Sequence, residues 1–212
     1  MYNQIYNDRR SWFLNQRSKE EHSIPVDIVQ IGDSITEGFN IARYVVTDKV
    51  IVNSGVGGDV TDILLQRYQR DCLGYNPKVI ILMIGINDIR TYFTKQQYIE
   101  RTNIKQLVEE VSNNIVKLIE MSSTSKLVWC KILPINEFEL NSYYINSVID
   151  KVNLKIETAI KTLSYVEVVC FDNIITYDKR LDANITYDGL HPNDDGYYLM
   201  SQKLKYLLTS PS

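Results

Sequence analysis

Short apolar runs rich in β-branched residues recur along the chain and predict the strands of a sheet. Apolar side chains occupy both odd and even positions of these runs, and the run at 79–84 contains no polar residue. This pattern is typical of parallel strands covered on both faces, whereas a strand with one wet face alternates apolar and polar residues. Five strands are predicted, at 27–31, 50–53, 79–84, 127–133 and 166–171.

Longer segments between these runs carry apolar residues at intervals of three and four, which predicts helices with one buried face. The clearest are 104–119 and 145–160. A further helix is expected at 197–208, and residues 1–24 are expected to form a helical segment packed on the outside of the sheet. Strands that alternate with helices connect by right-handed crossovers, so the fold class is α/β, with a doubly wound parallel sheet in a three-layer α/β/α sandwich.

The composition agrees with one globular domain spanning residues 1–212. Apolar residues make up 44% of the chain and charged residues 23%, both typical of globular proteins, and no low-complexity linker interrupts the pattern. The net charge of −3, with Lys and Arg scattered along the chain, argues against a nucleic-acid partner. No stretch approaches the ~20 consecutive apolar residues that span a bilayer, so no membrane span is expected.

The N-terminus lacks the basic and then apolar pattern of a secretory signal, which favours a cytoplasmic protein. A secreted protein whose signal had been removed would show the same pattern, so secretion stays open. Three cysteines, Cys72, Cys130 and Cys170, have no paired spacing, and no disulfide framework is expected. A homodimer also stays open.

Small and polar residues follow four of the predicted strands. They occupy 32–34 after the first strand, 53–59 after the second, 85–88 after the third and 188–191 beyond the fifth. In an open parallel sheet the loops at the carboxyl ends of the strands converge on one crevice, where ligands bind. The four segments are therefore expected to meet in a single cleft, although they are distant in sequence.

Ser34, His191 and Asp188 supply the three residue types of a nucleophilic triad. Serine becomes a strong nucleophile when a base takes its proton, and a carboxylate usually orients that base. Histidine suits the role because its unperturbed pKa is about 6.5. The chain has only two histidines, and the other, His22, lies in a charged run typical of a solvated surface segment.

An acyl-transfer intermediate carries an oxyanion, which needs preorganised hydrogen-bond donors. Three candidates lie in the converging segments: the backbone amides of Ser34 and Gly58, and the side-chain amide of Asn87.

The four motifs resemble the blocks of the SGNH, or GDSL-like, hydrolase family, in the family's order, from Gly32 to about Tyr197. Gly32-Asp33-Ser34 is similar to the nucleophile block, with Ile35 where the family name has leucine. Gly58 falls on the glycine of the second block, with Gly57 as a nearby alternative. Gly85-Ile86-Asn87-Asp88 matches the Gly-x-Asn-Asp block, and Asp188 with His191-Pro192 matches the last block.

The resemblance implies a flavodoxin-like sheet with strand order 2-1-3-4-5 and a serine esterase that needs neither metal nor cofactor. The catalytic residues would be Ser34, Asp188 and His191, and the oxyanion hole would comprise Ser34, Gly58 and Asn87. The expected substrate is a small-molecule ester with an acetyl or short acyl group, on a carbohydrate or a platelet-activating-factor-like lipid. A thioesterase or lysophospholipase of the same family is one alternative, and a noncatalytic ligand-binding module is an alternative of another class.

Each motif taken alone has a simpler structural interpretation, but the four motifs together favour a catalytic site. Gly-Asp-Ser alone is a common turn and capping sequence. The glycine-rich loop at 55–58 lacks the Lys-Ser/Thr ending of a phosphate-binding loop. A Gly-x-Ser-x-Gly elbow is absent, which argues against the α/β-hydrolase fold. Asp194 and Asp195 favour the start of the last helix over a metal site with His191.

Overall fold

The computed structural model describes residues 25–95, 103–137 and 141–209. One or two α-helices follow each strand along these residues, in the order β1 Ile28–Gly32, α1 Ser34–Gly38, β2 Ile51–Gly55, α2 Thr61–Asp71, β3 Val79–Met83, α3 Ile86–Lys95, α4 Ile104–Met121, β4 Lys126–Cys130, α5 Ser142–Ile160, β5 Val166–Val169 and α6 Asp194–Thr209. Short 3-10 helices lie at Ile41–Arg43, Leu73–Tyr75, Asp172–Ile174 and Ala183–Ile185. The helical segment expected at 1–24, with His22, lies outside the described residues.

The sheet has the order β2-β1-β3-β4-β5, and every pair of neighbours is parallel. This confirms the expected α/β class and the flavodoxin-like order. Gly32 at the end of β1 stands opposite Gly55 of β2 on one side and Met83 of β3 on the other. The carboxyl ends of the three strands are therefore level, and the segments that follow them leave the sheet at the same edge.

Helices cover the sheet and bury its apolar strands. In one layer α2 packs against α4, and α5 packs against both α3 and α4. On α6, the ring of Tyr197 stacks on Phe39 just after α1, with the ring centroids 5.4 Å apart. Trp129 of β4 and Leu82 of β3 are completely buried between the layers. Along the part of the chain that the structure describes, no helix has the length and apolar character that crossing a bilayer requires.

The five predicted strands are confirmed, with shifted ends. The largest difference follows β4, which was predicted to run to residue 133 but ends at Cys130. Beyond it the backbone pairs with side chains of α5: Asn153 bonds the N–H and C=O of Ile132, and Asn146 bonds those of Ile135. The apolar run continues because these residues stay buried, but asparagine amides replace a neighbouring strand.

The last helix starts earlier than predicted, at Asp194 instead of residue 197. Asp194 and Asp195 occupy its first turn, where negative charge is favoured by the helix dipole. Cys72 and Cys130 are buried and Cys170 is exposed, and none of these three cysteines forms a disulfide.

Candidate active site

The level strand ends bring the polar motifs together at one edge of the sheet. Ser34 begins α1 directly after Asp33, and Asn87 lies in the first turn of α3. Gly58 lies in the turn between β2 and α2, and a hydrogen bond from the Asp59 N–H to the Val56 carbonyl closes that turn. Asp188 and His191 lie in the loop that leads into α6.

The Oγ of Ser34 lies 2.9 Å from the Nε2 of His191, and the Nδ1 of His191 lies 2.7 Å from the Oδ2 of Asp188. An ionised carboxylate can only accept, so Nδ1 carries the proton that it donates to Asp188. Nε2 is then the acceptor for the Ser34 hydroxyl. This is the alignment that proton transfer from a serine nucleophile requires.

Two side chains hold the loop that carries Asp188 and His191. The Oδ1 of Asp188 accepts the backbone N–H groups of Leu190, at 2.9 Å, and His191, at 2.8 Å. The hydroxyl of Thr186 donates to the His191 carbonyl at 2.8 Å and accepts the Gly189 N–H at 3.0 Å. Asp188 therefore binds the loop backbone with one oxygen and the imidazole with the other, which fixes the position of the imidazole relative to the loop.

Gly189 allows this loop to pack against the segment after β4. Its φ is +83°, a region that glycine adopts without strain. A Cβ at this position would lie 2.4 Å from the Asn136 carbonyl oxygen, a contact that only a backbone shift would relieve. The Asn136 N–H donates to the Gly189 carbonyl at 2.7 Å, so the two segments are directly joined.

The surroundings of Asp188 favour its ionised form. Partial burial raises the pKa of this carboxyl, but the hydrogen bonds from the His191 N–H, the His191 ring and the Leu190 N–H outweigh that effect. The net result is a pKa below the ordinary value of 3.8. Asp188 is consequently a carboxylate at neutral pH and can stabilise an imidazolium.

The three predicted oxyanion donors lie at the ends of three adjacent strands. Ser34 is the first residue of α1, so its N–H precedes the intrahelical hydrogen bonds, and the Asp33 side chain caps the helix because its Oδ1 accepts the Ile35 N–H. Gly58 has a φ of +81°. The side-chain amide of Asn87 donates one hydrogen to the Asp59 carbonyl at 3.0 Å and has a second hydrogen to offer.

Gly57 was the alternative to Gly58, and its backbone amide is engaged elsewhere. The Gly57 N–H donates to the Oε2 of Glu37 at 2.7 Å. A Cβ on Gly57 would lie 3.7 Å from the Cβ of Ser34, so this turn borders the serine. Gly58 is therefore the better candidate of the two for an oxyanion donor.

Three buried or nearly buried aspartates bind groups next to the segments that carry the proposed site residues. Asp33 caps α1, and Asp88 accepts both the N–H and the hydroxyl of Thr61 at the start of α2. Asp59 forms an ion pair with Arg67, the Nε to Oδ2 distance being 2.5 Å. Sequence reasoning missed Arg67, because an arginine among polar residues of a helix is usually exposed. Its spacing from Asp71, at i and i+4, was the available signal.

Comparison with known proteins finds a family model and solved structures that match this chain. The family model described as "GDSL-like Lipase/Acylhydrolase family" matches residues 31–199. A Streptococcus pneumonia structure provisionally described as a platelet activating factor is 25% identical, with a TM-score of 0.70 over 97% of this chain and 99% of that chain. A GDSL-like lipase from Bacteroides thetaiotaomicron is 20% identical, with a TM-score of 0.74 over 96% of this chain and 97% of the other, and shares the fold.

One curated relative is the lipoprotein YqeF of Bacillus subtilis (strain 168), which is described as uncharacterized. It is 30% identical in an alignment that covers 45% of this chain and 47% of the relative. The alignment thus spans about half the length of that protein.

Proposed function

The chain belongs to the GDSL-like lipase/acylhydrolase family and is an ester-bond hydrolase, and from that premise we propose that Ser34, His191 and Asp188 are its catalytic triad. The observation that carries the proposal is the hydrogen-bonded series from the Ser34 Oγ through the imidazole to the Asp188 carboxylate. The residues come from two ends of the chain, and their atoms lie at the distances that proton transfer needs. We further propose that all 212 residues act as one domain.

In the first step, the Ser34 Oγ attacks the ester carbonyl carbon while Nε2 of His191 takes the hydroxyl proton. The new C–O bond makes a tetrahedral intermediate, and the carbonyl electrons move to the oxygen. Asp188 stabilises the imidazolium that forms. When the intermediate collapses, the bond to the alcohol oxygen breaks and His191 returns the proton to that oxygen, which leaves an acylated Ser34.

The oxyanion of the intermediate is held, in this proposal, by the backbone amides of Ser34 and Gly58 and by the Asn87 side chain. The donors stand on separate segments fixed to the sheet, so they need little reorganisation when charge develops. In the second step, a water molecule gives a proton to His191 and attacks the acyl carbon. Collapse of the second intermediate releases the carboxylic acid and returns the proton to Ser34.

The proposed substrate is a small ester with an acetyl or short acyl group. Two features support this choice: Asp33 alone separates β1 from α1, and only Ile84 and Gly85 separate β3 from α3. Loops this short have few residues that could form the walls of a deep acyl channel beside Ser34. The alcohol part is proposed to be a carbohydrate or a lipid of the platelet-activating-factor kind, the latter supported by the description of the Streptococcus structure.

Hydrolysis of p-nitrophenyl acetate by wild-type protein and by Ser34→Ala tests the proposal. Wild type should turn over and the variant should fall to the background rate, with unchanged circular dichroism showing that it is folded. Turnover by Ser34→Ala at the wild-type rate would refute the assignment of the nucleophile.

A series of p-nitrophenyl esters from C2 to C16, together with acyl-CoA thioesters, tests the acyl group. We expect kcat/KM to be highest for C2 and to fall with chain length. A maximum at C8 to C16, or with the thioesters, would instead favour the lysophospholipase or thioesterase alternative.

A further inference from the structure

Arg67 is a charged side chain enclosed in the protein directly beneath the proposed oxyanion hole. It lies on α2 and only 2% of its surface is exposed. Burying a guanidinium is costly unless its donors and its charge are compensated. An arginine kept at such a place therefore needs a structural or functional reason, and its partners indicate which.

The guanidinium contacts the two strands that end at the site. One terminal nitrogen donates to the Gly32 carbonyl of β1 at 3.0 Å, and the other donates to the Ser54 carbonyl of β2 at 2.8 Å. The second of these nitrogens also approaches the Oδ2 of Asp71 at 3.4 Å. Arg67 thus bridges neighbouring strands at their carboxyl ends, where the strand ladder stops.

The remaining contact leads to the other proposed donors. The Arg67 Nε donates to the Oδ2 of Asp59 at 2.5 Å. Asp59 directly follows Gly58, and its backbone carbonyl accepts the side-chain amide of Asn87 at 3.0 Å. One guanidinium is therefore connected to all three proposed donors, and the route to Ser34 runs through Gly32, two residues before it.

We propose that Arg67 is the positioning residue of the oxyanion hole, setting the distances among the Ser34, Gly58 and Asn87 donors through Gly32 and Asp59. This inference rests on the proposed function. Donors have to lie about 2.7–3.1 Å from the oxyanion, and functional groups generally have to be held within about 0.5 Å, so a small shift of either strand end weakens the hole. Arg67 acts on the donors through its bonds to the Gly32 carbonyl and the Asp59 carboxylate.

The planar fork of arginine is essential to this role. It presents several N–H donors in a fixed geometry, so it can reach two carbonyls and a carboxylate together. Lysine at this position would keep the charge but lose the fork, and it could not hold β1, β2 and Asp59 at the same time. Arg67→Lys therefore separates positioning from charge.

Tyr68→Phe is the matched control, because Tyr68 is the next residue on α2 and is also completely buried. Its hydroxyl lies 2.6 Å from the Ser122 Oγ, away from the strand ends, so the variant loses a buried contact without touching the proposed donors. For wild type and both variants, we would measure kcat and KM for p-nitrophenyl acetate, the rate of Ser34 labelling by a fluorophosphonate, and the thermal midpoint.

Arg67→Lys should lower kcat and the labelling rate together by roughly 10- to 100-fold, less than the 10²- to 10³-fold typical of losing a donor outright, with KM within twofold of wild type. Tyr68→Phe should lower the thermal midpoint but leave kcat within twofold. Equal kcat for the two variants and wild type would overturn the inference while leaving the triad in place. An inactive wild type with unlabelled Ser34 would instead remove the proposed function and the inference with it.

If Arg67→Lys does not fold, Asp59→Asn provides a second variant that tests the same inference. Asparagine has the shape of aspartate and removes only the charge that faces the Arg67 Nε. We expect kcat to fall roughly tenfold at constant KM, which is less than the loss in kcat seen when an oxyanion donor is removed. A wild-type kcat in a folded Asp59→Asn protein would contradict the positioning role.

Discussion

The Nε2 atom of His191 lies 2.9 Å from the Oγ of Ser34, although the two residues are 157 positions apart in sequence. Ser34 follows β1, which lies between β2 and β3 in the sheet, and His191 lies in the loop before α6. The contact therefore forms only when the strands and helices between these two residues have folded into the sheet and its layers. It is the tertiary relationship on which the proposed chemistry depends.

Asp188→Asn should reduce kcat by on the order of 10²- to 10⁴-fold, less than Ser34→Ala. An asparagine cannot stabilise an imidazolium with a full charge and favours the wrong imidazole tautomer, an effect that reached about 10⁴ in a serine protease. The asparagine oxygen can still accept the Leu190 and His191 N–H groups, so the loop should keep its shape. Steady-state kinetics would measure the loss, and a wild-type kcat would contradict the role of Asp188.

Asn87→Ala should reduce kcat by about 10²- to 10³-fold with little change in KM, because an oxyanion donor acts mainly in the transition state. Asn114→Ala is a suitable control. That side chain also donates its amide hydrogens, to Thr61 and Asp62, but it is not one of the proposed donors. If the two variants lose the same activity, Asn87 has only a structural role.

Thr186→Val should reduce kcat roughly tenfold, an order-of-magnitude expectation from the misplacement of a positioned base. The valine cannot donate to the His191 carbonyl or accept the Gly189 N–H, so the loop that presents the imidazole loosens. Thr186→Ser keeps the hydroxyl and should stay close to wild type. Equal kinetics for the valine and serine variants would show that the hydroxyl does not position His191.

Asp33→Asn should change how stability depends on pH. Burial raises the pKa of Asp33 to about 7; the Ile35 N–H opposes this rise and the charges of Asp59 and Asp88 add to it. The unfolded carboxyl ionises near its ordinary value of 3.8. The folded state therefore binds more protons between these values, and its free energy of unfolding falls as pH rises towards 7.

The asparagine does not titrate and can still accept the Ile35 N–H. The free energy of unfolding of the Asp33→Asn protein, relative to that of wild type, should therefore increase by about 2 to 3 kcal/mol between pH 5 and pH 8, at 1.36 kcal/mol per pKa unit. Urea unfolding of both proteins at the two pH values measures this difference. Parallel pH dependences would mean that Asp33 is not held protonated by its burial.

The sheet was predictable because its strands are apolar on both faces and alternate with amphipathic segments, a pattern that few folds share. The site motifs were predictable because they follow strand ends. The strand boundaries were less predictable. Ile132 and Leu133 are as apolar as the strand before them, and only the Asn153 and Asn146 side chains of α5 show where the backbone of Ile132 and Ile135 forms its hydrogen bonds.

The role of Arg67 could not be predicted from sequence, since its partners come from three separate segments. Gly32, Ser54 and Asp59 meet only after β1 and β2 have paired and α2 has packed beside them. The choice between Gly57 and Gly58 also needed the structure, because it depends on the contact between the Gly57 N–H and Glu37. Local sequence gives residue types, while tertiary contacts decide what each group binds.

The most direct test of the central claim is intact-protein mass spectrometry after exposure to a fluorophosphonate probe, followed by peptide mapping. Such probes react with a serine that is activated by a neighbouring base, so folded wild type should gain the mass of one adduct, mapped to Ser34. Ser34→Ala should gain none. Folded wild-type protein that stays unlabelled, or an adduct on a different serine, would contradict the claim that His191 activates Ser34 for attack on esters.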